Sequence, residues 1–226
     1  MGKVLDMLLK TGEEVLDLNQ DIMQYKGSDF KNMSIQDTFY FCKANSTFKE
    51  PGISYDELRA LHEASELYGH KPATIVETGM CFGVTTRYWI MRNLKYGGTL
   101  NTFEVYVREL FKTNMEDLDL WNNIILKSHS MKDNWQGQID ILYIDSEHAL
   151  QDALGEYMRF RVWLHGGSII GFHDTDVCPG VNKALEMISE VDELELISES
   201  INQAGAGIKF FKPKYMNRID RNWQKR

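Results

Sequence analysis

Short runs of β-branched and other apolar residues recur about every 15 to 30 positions from residue 74 onward, with helical patterns between most of them. This alternation is typical of βαβ units, and it predicts an α/β fold built on a parallel sheet. The predicted strands are 74–78, 99–104, 123–127, 139–145 and 167–173. Two further strands, 193–198 and 207–212, have no clear helix between them and predict an antiparallel hairpin at the sheet edge.

The chain before the first strand has a different, helical pattern. Apolar pairs within residues 3–25 predict two short helices, and Ser54 with Glu57 forms a capping-box motif that begins a helix ending at Gly69. We therefore divide the chain into an N-terminal helical extension (1–72), a main domain (73–214) and a basic tail (215–226). Aromatic residues collect in 26–51, where they either pack the helices onto the domain or cap a substrate.

Length and charge narrow the classes of partner. A chain of 226 residues supports one sizeable core, and its net charge of −8 argues against nucleic-acid or anionic-membrane binding. The three widely spaced cysteines suit neither a disulfide framework nor a zinc cluster, and no apolar run is long enough to span a membrane. We predict a soluble cytoplasmic protein with a small-molecule partner, whose N-terminal helices could mediate a homo-oligomer.

A glycine motif follows the first predicted strand, in the pattern Glu77-x-Gly79-x-x-x-Gly83. Gly79 allows a sharp turn, Gly83 allows close packing of the next helix on the strand, and the helix N-terminus directs free N–H groups into a cleft. These features predict a nucleotide-type cradle, for which the alternative is an ordinary tight turn. A dinucleotide fold would have a middle glycine where this chain has Cys81. The second strand ends at Glu104, an acid placed to bind ribose hydroxyls.

Acids and imidazoles follow two neighbouring predicted strands. The fourth strand ends in Asp145, with His148 three positions later, and the fifth ends in His173 and Asp174. One helical turn would bring His148 onto the same side as Asp145, where it could act as a general base. Each residue also has a structural interpretation, because an Asp often caps a helix and a single His is often a packed side chain.

These motifs together resemble a known class of enzymes. The acid-x-G-x-x-x-G pattern resembles motif I of class I methyltransferases, which bind S-adenosylmethionine (SAM). The Ile-Asp-x-x-His pattern ending at His148, the Leu-x-Gly-Gly turn at 164–167 and the His-Asp strand end are similar to small-molecule O-methyltransferases. The narrower similarity is to the family of macrocin-type and rhamnosyl O-methyltransferases and cephalosporin-hydroxylase-type proteins, and it covers roughly 73–212.

The resemblance implies a Rossmann-like, seven-stranded, mostly parallel sheet with an antiparallel last strand and helices on both faces. It also implies transfer of a methyl group from SAM to a hydroxyl of a small molecule, a sugar or a phenol. Two alternatives remain: a noncatalytic SAM-binding module and, disfavoured by Cys81, a nicotinamide-dependent oxidoreductase.

The resemblance also assigns roles to individual residues. His148 becomes the base, and Asp145 and His173 its catalytic partners; a divalent ion, Mg²⁺ first, would lie among Asp145, His173 and Asp174. His173 stands where an acid is usual and is a softer donor than Mg²⁺ prefers. The residues assigned to SAM are Glu77, Gly79, Met80, Gly83, Glu104, His129, Ser130 and Asp145, with His129 stacking on the adenine and Ser130 near its amino group.

Overall fold

The protein is described here from a computed structural model, which covers residues 53–81, 83–106, 124–127, 129–200 and 205–214. The two predicted N-terminal helices, the aromatic segment 26–51 and the basic tail lie outside the described residues. The proposed role of the N-terminal helices in oligomer formation therefore stays a prediction.

Helices and strands alternate along the described chain as the apolar pattern predicts. The helices are α1 (Tyr55–Tyr68), α2 (Val84–Tyr96), α3 (Leu150–Phe160) and α4 (Pro179–Val191), with a 3₁₀ turn at Arg161–Trp163. The strands are β1 (Ala73–Thr78), β2 (Gly98–Phe103), β3 (Ile124–Lys127), β4 (Ile141–Ile144), β5 (Ile169–His173), β6 (Leu194–Glu199) and β7 (Ile208–Pro213). Each differs from its predicted bounds by two residues or fewer at each end, as expected of fraying element ends.

The described strands form one seven-stranded sheet in the order β3-β2-β1-β4-β5-β7-β6. The pairs among β1 to β5 are parallel, whereas β7 is antiparallel to both β5 and β6. The predicted fold class is confirmed, including the antiparallel last strand. The hairpin does lie at the sheet edge, with β6 outermost and β7 between β5 and β6.

Apolar side chains cover both faces of the sheet, which explains the continuous apolar runs of the central strands. On one face, Leu58 and Leu61 of α1 and Trp89 of α2 belong to the same core as Ile75 and Tyr143. On the other face, α3 and α4 pack over residues such as Val76, Leu142, Ile170 and Phe172. Helix α1, which precedes the first strand, therefore shares its core with the main domain.

The predicted capping box begins α1. The Glu57 N–H donates to the Ser54 hydroxyl at 3.2 Å, and the Ser54 N–H donates to the Glu57 carboxylate at 2.6 Å. The helix ends at Gly69. Within the described ranges, none of the helices has the length and apolar character needed to cross a membrane.

Candidate active site

A cavity of about 790 Å³ lies at the carboxyl ends of the parallel strands, within the size range of small-molecule sites. Its walls come from the turns and loops that follow β1 to β5. Most of the predicted site residues line it: Gly79, Met80, Glu104, His129, Ser130, Asp145, His148, His173 and Asp174. A second cavity of about 250 Å³, beside the amino ends of β2 and β3, has no ionisable side chain in its described lining. The chemistry therefore points to the larger cavity.

The turn after β1 requires glycine at both predicted positions. Gly79 has a φ of +76°, and a Cβ atom there would lie 2.1 Å from the carbonyl oxygen of Asp145. The close approach that Gly79 permits is thus to the end of β4. Gly83 has a φ of +84° at the N-cap of α2, and its N–H donates to the Met80 carbonyl at 2.6 Å. Gly83 lies outside the cavity lining, so its conformation affects the cavity only through the shape of the turn.

Glu77 is absent from the described lining of the cavity, and its assignment as a SAM contact stays a prediction. Its side chain is fully buried, and its carboxylate accepts hydrogen bonds from three hydroxyls, those of Thr85, Thr86 and Thr102, at 2.8 to 3.0 Å. Burial raises the pKa of Glu77 to about 7, although these hydroxyls oppose the rise. Glu77 therefore ties β1, β2 and the start of α2 together and supports the turn that Gly79 makes.

Glu104 lies at the carboxyl end of β2 and faces the turn after β1. Its Oε2 atom accepts long hydrogen bonds from the N–H groups of Met80 and Cys81, at 3.3 and 3.4 Å, and Oε1 accepts from Tyr106 N–H at 3.0 Å. The carboxylate lines the cavity and is partly exposed. Weakly engaged carboxylate oxygens at this position can accept further hydrogen bonds from vicinal hydroxyls.

The loop after β3 supplies His129 and Ser130 to the cavity, as predicted. The Ser130 hydroxyl is already engaged, because it donates to Glu156 of α3 at 2.5 Å. Glu156 also accepts from the hydroxyls of Thr78 and Ser146, at 2.7 and 2.8 Å. One buried carboxylate thus holds the end of β1 and the loops after β3 and β4 together. Burial raises the pKa of Glu156, and the three hydroxyls oppose that rise.

Glu156 lines the cavity but was missed by the sequence analysis. It lies on the buried side of α3 with Ala153, Tyr157 and Phe160. The available signal was a lone acid on an otherwise apolar helix face, which requires hydrogen-bond partners when buried.

The acids and imidazoles after β4 and β5 meet in the cavity, as predicted. His148 Nε2 lies 2.5 Å from a carboxylate oxygen of Asp174 and 4.0 Å from one of Asp145. Contrary to the prediction, His148 does not lie one helical turn after Asp145, because α3 begins only at Leu150 and its N-cap is Ala149. His148 instead reaches across to the end of β5. Asp145 and Asp174 together raise the pKa of His148 to about 10.

His173 lies deeper, with 5% of its surface exposed. Its Nδ1 atom is 3.2 Å from carboxylate oxygens of both Asp145 and Asp174, and its Nε2 atom is 3.5 Å from Glu57 Oε1. Burial alone would lower the pKa of His173, but the surrounding carboxylates, Asp145 foremost, raise it well above its ordinary value. Burial would raise the pKa of Glu57, yet the neighbouring His173 ring, together with the hydrogen bonds to Ser54, lowers it to about 2. Glu57 entered the sequence analysis only as a capping residue.

The three predicted magnesium ligands, Asp145, His173 and Asp174, offer ligand atoms within 4.8 Å of one another. The third donor is the His173 Nδ1 atom, an imidazole nitrogen, which lies 3.2 Å from a carboxylate oxygen of each acid. Mg²⁺ prefers near-octahedral oxygen ligands at about 2.0 to 2.1 Å. The donor set therefore does not fit Mg²⁺, since an imidazole nitrogen takes the place of one of the oxygen ligands that this ion prefers.

Comparison with known proteins found a family model that matches the central part of the chain. Residues 76–175 match the family model described as a methyltransferase domain, a segment that contains the glycine turn and both acid–imidazole strand ends. A search of curated protein sequences found no match.

Solved structures share the fold at low sequence identity. SAH-bound Podospora anserina methyltransferase PaMTH1 is 13% identical with a TM-score of 0.56, over 91% of this chain and 98% of that one. CalS11, a TDP-rhamnose 3′-O-methyltransferase of calicheamicin biosynthesis, is 14% identical with a TM-score of 0.56, over 90% and 95%. The SAH-bound N-methyltransferase NodS from Bradyrhizobium japonicum WM9 is 12% identical with a TM-score of 0.55, over 79% and 99%. These similarities show the fold.

Fold and matched domain together define the class of protein. The chain carries a methyltransferase domain and is an enzyme, a SAM-dependent methyltransferase. The cavity residues are compatible with SAM, because a glycine turn and the Glu104 carboxylate face the same space as the acid–imidazole cluster.

Proposed function

We propose that this enzyme is an O-methyltransferase that moves the methyl group of SAM to a hydroxyl of a small molecule, a sugar or a phenol. The observation that carries the proposal is the contact of His148 with Asp174 in the cavity that also contains Gly79 and Glu104. A paired imidazole beside a methyl donor suits an acceptor that must lose a proton. CalS11, which shares the fold, is described as a sugar O-methyltransferase and supports this substrate class.

In the proposed complex, the residues around the turn after β1 bind SAM. Glu104 accepts hydrogen bonds from the two ribose hydroxyls, and the backbone at Gly79 and Met80 contacts the methionine portion. His129 stacks on the adenine. Ser130 approaches the adenine amino group as an acceptor, because its own hydroxyl proton is directed to Glu156.

The cofactor supplies an electrophilic methyl group on a sulfonium. The substrate oxygen forms the new O–CH₃ bond as the S–CH₃ bond breaks, and the hydroxyl proton leaves to His148. Since Nε2 of His148 faces Asp174, the ring receives this proton on Nδ1. Asp174 holds the ring in that orientation, and His173 holds Asp174 and Asp145 in place from below.

No step of this reaction passes through a metal ion, because the acid–imidazole arrangement does not fit Mg²⁺. The pairing of each acid with an imidazole also removes the repulsion that two acids at adjacent strand ends would otherwise suffer. We therefore expect turnover to survive removal of divalent ions.

The test is incubation with methyl-labelled SAM and a panel of sugars, phenols and matched amines, with and without EDTA. We expect label in at least one hydroxyl acceptor, at the same rate in both conditions. His148→Ala should remove most of that turnover and leave SAM affinity unchanged, because a general base contributes about 10²- to 10⁴-fold. His165→Ala is the matched control: His165 pairs with Asp140 beside the amino ends of β1 and β5, far from the cavity lining.

Three results would contradict the proposal. Tight SAM binding without turnover on any acceptor would favour a noncatalytic binding module. Label confined to amines would indicate N-methylation. Loss of turnover with EDTA would show that the reaction needs a divalent ion.

A further inference from the structure

In the described part of the chain, an ionisable side chain from outside the segment that matches the methyltransferase domain contacts His173 of the candidate active site. Glu57 lies in the first turn of α1, is 1% exposed, and places Oε1 at 3.5 Å from Nε2 of His173. We propose that Glu57 is a positioning residue, which fixes the His173 ring between Asp145 and Asp174. The inference rests on the proposed function, because it gives Glu57 a part in the same reaction.

The Glu57 carboxylate is itself held from two sides. Its Oε2 atom accepts from the Ser54 N–H at 2.6 Å, and its Oε1 atom accepts from the Gly207 N–H at 2.7 Å. A Cβ atom at Gly205 would lie 2.3 Å from Oε2, so glycine there lets the chain before β7 close over the carboxylate. Glu57 therefore offers His173 an acceptor whose position is determined by both α1 and β7.

His173 needs such an acceptor on the side facing away from the cavity acids. Its Nδ1 atom faces Asp145 and Asp174, while Nε2 points the opposite way into the protein. Among the described residues, Nε2 makes no regular hydrogen bond, and the Glu57 carboxylate lies within ion-pair distance of it. An imidazole ring is rigid, so an anchor at Nε2 also sets the direction of Nδ1. Leaving a buried polar nitrogen with no partner would be costly.

Glu57 itself does not line the cavity, and its contact with the proposed reacting groups runs through His173. The contacts continue from His173 to Asp174 and from Asp174 to His148, the proposed base. Glu104, the proposed ribose contact, bonds to residues that take no part in this series. Loss of Glu57 should consequently lower turnover more than SAM affinity.

The experiment compares Glu57→Gln with Ser54→Ala. Ser54→Ala removes the capping hydroxyl that accepts from the Glu57 N–H and leaves the carboxylate facing His173, so it controls for loss of the cap. Four quantities are measured for each variant. They are the melting temperature, SAM affinity by calorimetry, kcat at saturating SAM with the hydroxyl acceptor that the labelled-SAM panel identifies, and the ¹⁵N resonances of the His173 ring in histidine-labelled protein.

We expect Glu57→Gln to shift the His173 resonances and to lower kcat about 10- to 100-fold, the scale of effect found when the outer partner of a functional imidazole is removed. SAM affinity should stay within experimental error in both variants. Ser54→Ala should lower the melting temperature but keep kcat and the His173 resonances. Should Glu57→Gln fail to fold, Glu57→Asp keeps the charge, withdraws it by one methylene, and should give the same direction of change.

Unchanged His173 resonances in a folded Glu57 variant would overturn the inference, and so would an equal loss of kcat in Ser54→Ala. An enzyme with no turnover on any acceptor would refute the proposed function instead. In that case the ring resonances alone still decide whether Glu57 holds His173.

Discussion

Replacing Gly79 by alanine tests how tightly the turn after β1 is packed against the end of β4. The backbone at Gly79 is left-handed, with φ at +76°, and such a conformation costs a residue with a side chain about 1 to 3 kcal/mol. The added methyl would also lie 2.1 Å from the Asp145 carbonyl oxygen and 2.7 Å from Ser146 Cα. Forced overpacking of this kind costs about 1 to 3 kcal/mol more. Together the two effects predict that Gly79→Ala lowers the free energy of unfolding by about 2 to 6 kcal/mol.

Gly69→Ala is the matched control. Gly69 also has a positive φ, +96°, but a Cβ atom there would meet nothing within 4 Å. In this variant the free energy of unfolding should fall only by the cost of the backbone conformation, about 1 to 3 kcal/mol. The assay is denaturant unfolding followed by circular dichroism, with free energies taken from the midpoint and slope. Because the methyl pushes on the backbone of Asp145, Gly79→Ala should also lose turnover, whereas folded Gly69→Ala should not.

Equal destabilisation of the two variants would refute the reasoning, since it would mean that no contact with β4 restricts position 79. A Gly79→Ala variant that is less stable but turns over normally would show that the end of β4 can shift without effect on Asp145.

The remaining predictions concern three acidic or basic side chains. Glu104→Ala should weaken SAM binding at least about 100-fold in calorimetry without unfolding the protein, because two charge-assisted hydrogen bonds to the ribose are lost; Glu104→Gln should lose less. Glu156→Gln should lower stability by about 1 to 3 kcal/mol and raise KM for SAM more than it changes kcat, because a single amide oxygen replaces the two oxygens that accept from the hydroxyls of Thr78, Ser130 and Ser146. His148 has a folded pKa of about 10 against an ordinary 6.5, so its pairs stabilise the fold fully below pH 6.5, and that stabilisation is lost as the pH rises toward 10. In His148→Ala, the free energy of unfolding should depend less on pH between 6.5 and 10 than in the wild type. The wild-type kcat/KM for SAM should still rise with pH above about 7.5.

Much of the fold could be predicted because the relevant signals are local. Adjacent residues such as Ile75 and Val76 are both fully buried, on opposite faces of the sheet, which is why central strands appear as continuous apolar runs. The position of β7 between β5 and β6 could not be predicted in this way. It depends on pairing across the sheet, for example Ile170 with Phe211.

The site was predictable where topology alone brings residues together. Parallel strands end at one edge, so Asp145 and Asp174 were expected to meet there. Glu57 and Glu156 reach the site from helices, and their partners are distant in sequence: 150 positions separate Glu57 from Gly207, and 78 separate Glu156 from Thr78. No local pattern carries that information. The burial of Glu77 among three threonine hydroxyls could not be predicted either, because sequence cannot show which hydroxyls surround a carboxylate.

The acid–imidazole cluster also links proton removal to cofactor binding. Asp145 and Asp174 stabilise the proton on His148, so in the free enzyme the ring is an imidazolium at neutral pH. SAM carries a positive sulfonium, and a like charge nearby disfavours the charged form of an imidazole. Bound SAM should therefore lower the pKa of His148 toward neutrality when the acceptor is in place. The pH dependence of kcat/KM for SAM reports the enzyme without SAM, whereas that of kcat reports the complex with SAM and acceptor bound. The pH at which kcat levels off should therefore lie below the pH at which kcat/KM for SAM levels off. Coincident pH profiles would show that the sulfonium does not act on His148, and they would leave Asp145 and Asp174 as the groups that set the pKa of the base.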